Sequence, residues 1–412
     1  MRRATFAFIF LTVLLDMLAL GVVVPVLPKL VIALEGGEKV NAAAVYGAFG
    51  TAWAAMQFLF APLIGALSDR FGRRRVILLS CLGLGLDYFV MALAPTVGWL
   101  FVGRVISGIT ASSFATSYAY VADVTEPGER AAKFGLLGAA FGLGFILGPA
   151  LGGLLGAVSL RAPFWASGTL SLIGAAYGVF VLPESLPPDR RAPLDWRRAN
   201  PVGSLSFLRG HRALLGLAIA AFLYRLAHDA MPTLFVLYTD YRFGWGERTV
   251  GLVLALVGVS SMIVQAGLIG AIVRRVGERR AMMMGFAFGA LAFLVYALAT
   301  TGAWFAAGIP VGALFGLAYP SLQGIMTRRV APDEQGRLQG AIASLMGIAG
   351  VVAPVLFTQV FAAAIGRYRS TGVPGAPFLL AALLLLAAMA VAARSEGRLL
   401  MESEPAPLTT PA

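Results

Sequence analysis

Long apolar runs separated by short polar loops organise the whole chain. About twelve of these runs are long enough to cross roughly 30 Å of hydrocarbon as helices. A membrane β-barrel is excluded, because no segments of about ten residues alternate between polar and apolar positions. The pattern therefore predicts an all-α integral membrane protein. Its helices are predicted over residues 4–28, 41–67, 76–94, 99–121, 133–157, 163–183, 213–238, 248–273, 281–300, 304–325, 338–365 and 375–393.

Composition supports a membrane protein and excludes other classes. Apolar residues are 59% of the 412 residues and charged residues 13%, against about 45–50% and about 25% in soluble proteins. The single cysteine, Cys81, excludes a disulfide scaffold. The first run is too long for a cleavable signal peptide and carries Asp16 in its middle. The net charge of +12 comes from basic loop residues, so it predicts the lipid bilayer rather than nucleic acid as a partner.

The distribution of Lys and Arg predicts the orientation of the chain. Alternate loops are rich in arginine, as at residues 70–75 and 274–280, and both chain ends fall on that side. The loops on the other side hold few basic residues, among them Lys29 and Lys39. Because arginine-rich loops stay in the cytoplasm, we expect a multi-pass protein of the cytoplasmic (inner) membrane with both termini cytoplasmic.

The two halves of the chain repeat one another. Gly65 aligns with Gly270 and Pro149 with Pro354, and both pairs lie 205 residues apart. A tandem repeat of six-helix units is a transporter architecture with a substrate site between the halves; a duplicated fold that no longer transports is the alternative. We predict two pseudo-symmetric halves. Their bounds are an N-terminal bundle over 1–183, a cytoplasmic linker over 184–212, a C-terminal bundle over 213–395 and a cytoplasmic tail over 396–412.

The loop after the second run, GALSDRFGRRR at residues 65–75, is the strongest local motif. A carboxylate such as Asp69 can pair across the turn, or cap a helix N-terminus in one conformation and lose that contact in another. Gly72 can take a positive φ there. We expect this loop to hold a gating motif, and the alternative is a basic loop that only sets topology. The motif residues are Gly65, Asp69, Arg70, Gly72 and Arg73.

Several motifs together carry a family resemblance. GALSDRFGRRR resembles the cytoplasmic-loop motif of the major facilitator superfamily, and GRVISGIT at 103–110 resembles the arginine motif of its fourth helix. LGLDYF, VADVTEPGERAAKFGLLGA and YRFGW make the chain similar to the tetracycline/proton antiporter family. LPESLP and GAPF are also similar to the animal hippocampus-abundant-transcript branch. The resemblance implies a twelve-helix major facilitator fold and proton-coupled export of drug-like compounds.

Three charged residues lie inside the predicted N-terminal helices. Asp16 and Asp87 are acids in apolar runs, where an unpaired acid costs roughly 2.5–3.5 kcal/mol to insert. We expect them to face a cavity, because burial disfavours the charged form and allows proton exchange; a structural hydrogen bond is the alternative. Arg104 needs a partner across the bundle or a hydrated cavity, unless it reaches the head groups near Trp99. The resemblance implies roles in transport or proton coupling for the two aspartates, and a role in proton coupling for Arg104.

The seventh run carries a second charged cluster. Arg225 and Asp229 lie four residues apart, so they can pair along one helix face. His228, the only histidine expected inside the membrane, lies beside them, so the cluster could be a second proton site. A self-neutralised ion pair near the interface is the alternative. Tyr224 precedes this cluster and is assigned to substrate binding.

Two further groups have assigned roles. The resemblance implies that Asp123 and Arg130 act in gating, whereas ordinary interfacial charge explains them equally well. GLGFILGPALGG at 142–153 resembles the Gly-Pro motif of drug/proton antiporters and is the main evidence for export; generic small-residue packing is the alternative. The antiporter motif consists of Gly144, Gly148, Pro149, Gly152 and Gly153.

Three glutamines in membrane helices suit hydrogen bonding to an organic substrate, although packing hydrogen bonds explain them as well. They are Gln57, Gln265 and Gln323. The tetracycline family has a histidine one turn before the glutamine of helix 8, where this chain has Ser261. It also has an acid in helix 9, at a position that is Gly289 here. Tetracycline itself is therefore a doubtful substrate, and coupling must rest on the first half and on helix 7.

The function that fits best is proton-coupled export of amphipathic organic compounds by alternating access. A metabolite transporter or proton symporter on the same fold is the alternative. An intramembrane enzyme or an ATP-driven pump is excluded, because H-E-x-x-H, G-x-S-x-G and Walker sequences are missing from the chain. A receptor would have little reason to retain the intramembrane charges. We expect no catalytic residue, metal or cofactor, and a monomer whose partners are protons and a small organic substrate.

Overall fold

The computed structural model describes residues 2–111, 114–126, 129–191, 203–209, 212–331 and 334–403. In this part of the chain eleven helices are long and apolar enough to span a membrane, and the shorter Val97–Thr110 belongs to a twelfth. The predicted fold class is confirmed. The helices are α1 (Arg2–Val23 and Leu27–Leu34), α2 (Lys39–Phe71), α3 (Arg73–Leu93), α4 (Val97–Thr110 and Phe114–Val124), α5 (Arg130–Gly156), α6 (Ala162–Val181), α7 (Arg212–Phe243), α8 (Glu247–Met262, Ile263–Leu268 and Ile269–Val276), α9 (Glu278–Leu298), α10 (Gly302–Ala313, Leu314–Leu317 and Ala318–Thr327), α11 (Gln335–Ile365) and α12 (Ala376–Ser403).

The first helix differs most from the prediction. α1 turns at residues 24–26 and resumes as Leu27–Leu34, beyond the predicted end at residue 28. Pro25 lacks the N–H that would continue the hydrogen-bond ladder, and Pro28 is tolerated at the start of the second segment. The extra segment places Lys29 in a buried position near the end of the bundle.

The predicted linker and the predicted tail both contain helical residues. The short helix Ser206–Arg209 lies in the predicted linker and packs against α7 and α11. Its Phe207 is buried, and the guanidinium of Arg337 lies 4.9 Å from the centre of that ring. At the other end, α12 continues to Ser403, into the predicted tail.

The repeat in the sequence is also a repeat in the backbone. Residues 205 positions apart end or begin equivalent helices with nearly the same dihedral angles. Gly72 and Gly277 have φ of 101° and 80°, Ala94 and Ala299 both have φ of −55°, Thr96 and Thr301 have φ of −139° and −128°, and Glu129 and Glu334 have φ of −99° and −93°. The positive φ of Gly72 agrees with the prediction, since only glycine adopts it at no steric cost.

Each half packs mainly within itself. In the first half α1 packs against α5 and α6, and α3 packs against α6; in the second, α7 packs against α11 and α12, and α9 packs against α12. The halves meet along two helix pairs, α2 with α11 and α5 with α8. We call the membrane face that carries residues 70–75 and 274–280 the terminal face, and the face that carries Lys29 and Lys39 the distal face.

The helix pairs between the halves are joined toward the distal face. The hydroxyl of Thr51 in α2 donates to the backbone oxygen of Val351 in α11 at 2.8 Å. Gly153 in α5 lies against Gly251 in α8 so closely that a Cβ on Gly153 would be 2.9 Å from the Gly251 Cα. Nearer the terminal face, a Cβ on Gly65 of α2 or Gly138 of α5 would have no atom of another element within 4 Å among the described residues. The halves are thus closed together on the distal side.

Candidate transport site

Asp16 is held in the interior of the first half. It lies in the middle of α1 with 6% of its surface exposed, and the thiol of Cys81 in α3 donates to its Oδ2 at 3.3 Å. Its Oδ1 is buried and has no hydrogen-bond partner among the described residues. The structure therefore provides a weak donor for one oxygen and leaves the other available to a proton.

Asp87 and Arg104 form a second polar site in the same half. Asp87 in α3 is 1% exposed, and neither of its carboxylate oxygens is hydrogen-bonded within the described residues. It faces α4, where a Cβ on Gly103 would lie 2.9 Å from its Oδ1. The guanidinium of the adjacent Arg104 lies 5.3 Å from the ring centre of Trp53 in α2. Arg104 therefore points into the bundle, whereas Trp99 is 55% exposed.

A cavity of about 370 Å³ lies in the second half between α7, α8 and α10, with Met346 of α11 also on its wall. One side is aromatic: the ring centre of Tyr224 lies 4.6 Å from that of Phe315 and 5.6 Å from that of Tyr319, with which it stacks. Phe315 and Tyr319 were not predictable from the sequence, because aromatic residues spaced four apart on a helix usually belong to packing. The volume is in the range of small-molecule sites, about 300–1,000 Å³.

The polar side of this cavity comes from α7 and α8. Arg225 donates through Nε to Oδ2 of Asp229 at 2.9 Å, which confirms the predicted pairing. The imidazole Nδ1 of His228 lies 3.3 Å from Oδ1 of the same carboxylate. The pair lies in the middle of the 32-residue α7 rather than near its ends. Arg225 and His228 line the cavity. Asp229 contacts both of these side chains but is not itself part of the cavity wall.

Gln265 lines the cavity from an irregular turn of α8. Residues Ile263–Leu268 form a π-helical turn inside α8, and single turns of this kind often mark functional sites. Ser261, one turn earlier, also lines the cavity. The cavity therefore includes Tyr224 and Gln265 of the predicted substrate residues.

The other two predicted glutamines lie outside this cavity wall. Gln323 in α10 donates to Oε1 of Gln339 in α11 at 3.1 Å, a packing hydrogen bond between neighbouring helices. Gln57 lies in the first half, in α2. Gly289 in α9 has no space for a side chain, since a Cβ there would lie 2.6 Å from the ring of Phe315 and 2.7 Å from Leu385. An acid at this position would displace the aromatic wall.

Three of the predicted gating residues, Asp69, Arg73 and Asp123, meet at the terminal face of the first half. Arg73 contacts Asp69 at 2.5 Å and Oδ2 of Asp123 at 3.3 Å, which connects the turn between α2 and α3 to the end of α4. The guanidinium of Arg70 lies over the ring of Phe71 instead. Arg130 does not join them; its Nε donates to the backbone oxygen of Thr125 at 3.3 Å.

Glu184, from the LPESLP segment, completes this cluster and was not selected from the sequence. Its Oε1 accepts from the backbone N–H of Arg73 at 2.9 Å and of Leu186 at 3.1 Å. The carboxylate thus caps the N-terminus of α3, where free N–H groups and the helix dipole favour an anion. The sequence shows an acid in a segment flanked by prolines. The N–H group of Arg73 that it caps lies 111 residues earlier in the chain, so this contact was not predictable.

The second half repeats this cluster with the charges exchanged. Arg73 and Asp123 align with Glu278 and Arg328 at the same offset of 205 residues. Glu278 at the start of α9 binds Arg328 at the end of α10 through both carboxylate oxygens. The hydrogen bonds that Arg328 donates to Glu278 raise the pKa of Arg328 above its ordinary value. Both halves therefore have an ion pair at this place. In the first half the acid lies at the end of α4, and in the second half it lies at the start of α9.

An ion-pair cluster joins the two halves at the distal face. Lys29 of α1 lies 3.5 Å from Oδ1 of Asp240 and 3.3 Å from Oε1 of Glu247, and it donates to the backbone oxygen of Trp245 at 2.7 Å. Lys39 contacts Asp240 at 2.6 Å. From the sequence these lysines indicate only topology, because their partners lie 216 and 201 residues away in the other half. We call these four charged side chains the distal cluster.

The glycines of the antiporter motif pack α5 against two helices at once. Gly148 lies against Gly21 of α1, where a Cβ on Gly148 would be 2.6 Å from the Gly21 Cα. Gly144 and Gly152 face α1 in the same way, whereas Gly153 faces α8. Pro149 remains inside the continuous helix α5. The motif therefore determines close packing both within the first half and between the halves.

Comparison with known proteins agrees with this architecture. The family model of the Major Facilitator Superfamily matches residues 9–354. The tetracycline resistance protein of class C from Escherichia coli is 39% identical over 361 residues, 87% of this chain and 90% of that protein. The hippocampus abundant transcript 1 protein of Mus musculus is 29% identical over 312 residues, 74% of this chain and 63% of that protein. Among solved structures, the human organic anion transporter MFSD10 (TETRAN) is 25% identical, with a TM-score of 0.68 over 95% of this chain and 99% of that one.

Proposed function

Because the chain belongs to the Major Facilitator Superfamily and has tetracycline resistance proteins among its relatives, we propose that it exports amphipathic organic compounds in exchange for protons. It is a membrane transporter and not an enzyme. The two halves would alternate between closure at one face and closure at the other. We assign these halves to residues 1–183 and 213–395. A metabolite transporter or proton symporter on the same fold is the alternative.

The observation that supports proton coupling is the state of the two acids in the first half. Asp16 and Asp87 are buried, and neither forms an ion pair within the described residues. Maintaining a carboxylate at such a position is expensive, so intramembrane acids of this kind mark ion pathways. Arg104 beside Asp87 supplies a positive charge that would favour release of a proton. We assign proton binding to Asp16 and Asp87, with Arg104 as the group that modulates Asp87.

We further propose that the terminal face is cytoplasmic, since its loops are rich in arginine. The distal face is then outside, in the cell's cytoplasmic membrane. The closure of the halves on the distal side corresponds to an inward-facing state, in which the cavity in the second half would receive substrate from the cytoplasm. The protein would act as a monomer, because one chain supplies both halves.

Purified protein in liposomes with an imposed pH gradient tests this function. A panel of amphipathic compounds, with tetracycline included, would be offered on the side that corresponds to the cytoplasm. We expect at least one compound to move against its concentration gradient when protons move the opposite way, and flux to stop when a protonophore removes the gradient. Movement of compound in the same direction as protons would support the symporter instead. Flux that ignores the gradient would contradict proton coupling.

A further inference from the structure

The cavity in the second half also indicates what chemistry its ligand has. We propose that this cavity binds an aromatic organic anion, whose acidic group contacts Arg225 and whose ring packs against the aromatic wall of Tyr319, Tyr224 and Phe315. This inference rests on the proposed function in taking the cavity as the substrate site. It adds to that function a substrate class and the residues that would contact it, and the similar organic anion transporter handles ligands of the same charge.

The first step is the balance of donors and acceptors on the cavity wall. Arg225 is 41% exposed, and its bond to Asp229 uses Nε. Both terminal nitrogens of this guanidinium are without a hydrogen-bond partner within the described residues, which leaves several N–H groups for a ligand. Gln265 and the hydroxyls of Tyr224 and Tyr319 can also donate, whereas the Nδ1 of His228 is already in contact with Asp229. The free N–H groups of Arg225 therefore complement a ligand that carries an acidic group.

The second step is the position of the acid. Asp229 is the carboxylate nearest this wall, and both of its oxygens are already in contact, one with Arg225 and one with His228. Its side chain is 11% exposed, and it is not among the residues that line the cavity. A cationic ligand would therefore find no free carboxylate on the described wall. A carboxylate or phenolate ligand can instead form a charge-assisted, two-point contact with the guanidinium.

The third step is the shape of the remaining wall. The rings of Tyr224 and Tyr319 stack within 20° of parallel, and Phe315 lies 4.6 Å from Tyr224. Tyr224 and Phe315 are 9% and 8% exposed, so the partly exposed Tyr319 presents more of its ring to the cavity. Flat rings of this kind favour offset or edge contacts with another ring. The volume of about 370 Å³ accommodates a compound of one or two fused rings with its acidic group.

Three probes that share one ring and differ in charge test the proposal directly: naphthoate, naphthamide and naphthylmethylammonium. Binding to the full chain in nanodiscs would be measured by calorimetry without any pH gradient. We expect naphthoate to bind at least about tenfold more tightly than the ammonium compound, with the amide between them. Equal binding of all three, or tighter binding of the ammonium compound, would overturn the proposal.

Variants connect this preference to Arg225. Arg225→Gln should remove the preference for naphthoate, and Arg225→Lys should retain part of it. Arg242→Gln is the matched control, because Arg242 lies on the same helix near the distal face and contacts the backbone oxygen of Ala299. If Arg225→Gln does not fold, the double variant Arg225→Gln with Asp229→Asn removes both charges and should show the same loss. A preference that survives in these variants would contradict the assignment.

The binding measurement is independent of proton coupling. Anion-selective binding without gradient-driven export would leave the substrate class in place and refute the proposed function. Gradient-driven export of cations, with no selective binding of naphthoate, would support the proposed function and refute the substrate class.

Discussion

Arg225 and Asp229 show how a charged pair is maintained in an apolar helix. Each neutralises the other at 2.9 Å, and His228 contacts the second oxygen of the carboxylate. Removing one partner leaves an uncompensated charge, whereas removing both leaves none. The spacing of four residues was enough to predict this pair. The exposure of Arg225 to a cavity was not predictable, because it depends on α8 and α10, which lie far away in the sequence.

A double-mutant cycle measures this pair. We expect Arg225→Gln and Asp229→Asn each to lower the thermal stability in detergent more than the double variant does, with a coupling energy of about 1 kcal/mol or more. Arg242→Gln, combined with Asp229→Asn, serves as the control cycle and should show additive effects. Additivity in the first cycle as well would mean that the two charges do not stabilise one another.

Among the helices, α5 depends most on small residues. Gly153 is in contact with Gly251 of α8 across the boundary between the halves. We expect Gly153→Val to prevent close approach on the distal side and to shift the protein toward the state that is open there. Spin labels at the distal ends of α5 and α8 should report a longer distance. Gly135→Val is the control, since a Cβ at Gly135 has open space; an equal change in both variants would contradict this role of Gly153.

The helices also show where prediction from sequence ends. Apolar runs predicted twelve helices because hydrophobic length alone determines a span. The Gly-Pro motif predicted a thin, closely packed α5, although its two neighbours, α1 and α8, depend on tertiary structure. The π-helical turn at Ile263–Leu268 has no sufficient local signal: it contains Gly267, but a single glycine is tolerated in a regular α-helix. Phe315 and Tyr319 became site residues only through their contact with α7.

At the scale of the whole molecule, the distal cluster connects the halves in the observed state. Asp240 contacts both Lys29 and Lys39, so Asp240→Asn removes two ion pairs with one substitution. Partly exposed pairs contribute up to about 1 kcal/mol each, so we expect the population closed at the distal face to fall several-fold. Distances between spin labels on the distal ends of α1 and α7 would show this. Arg248→Gln, a charge change on the same face, is the control; an unchanged distribution in Asp240→Asn would exclude a role in closure.

The terminal face is predicted to hold the halves together in the opposite state. In the observed state Asp69 contacts Arg73 of its own half, and the equivalent position in the second half is Arg274. We expect Asp69 to contact the second half when the terminal face closes. A charge-assisted contact contributes roughly 1.5–3 kcal/mol, so Asp69→Asn should shift the equilibrium about tenfold or more toward opening at the terminal face.

Spin labels at the terminal ends of α2 and α8 would measure that shift across pH. Arg75→Gln changes an exposed charge in the same turn and should leave the distances unchanged. If Asp69→Asn also leaves them unchanged, the loop serves topology alone.

Proton-coupled exchange through Asp16 is the central claim, and Asp16→Asn tests it most directly when two transport modes are compared in the same liposomes. Asparagine keeps the size of the side chain but cannot bind or release a proton. We expect flux driven by a pH gradient to fall to the level of protein-free liposomes, while exchange of labelled for unlabelled substrate without a gradient continues. Asp189→Asn, at an exposed acid outside the membrane helices, should retain both modes. Full gradient-driven flux in Asp16→Asn would contradict the claim.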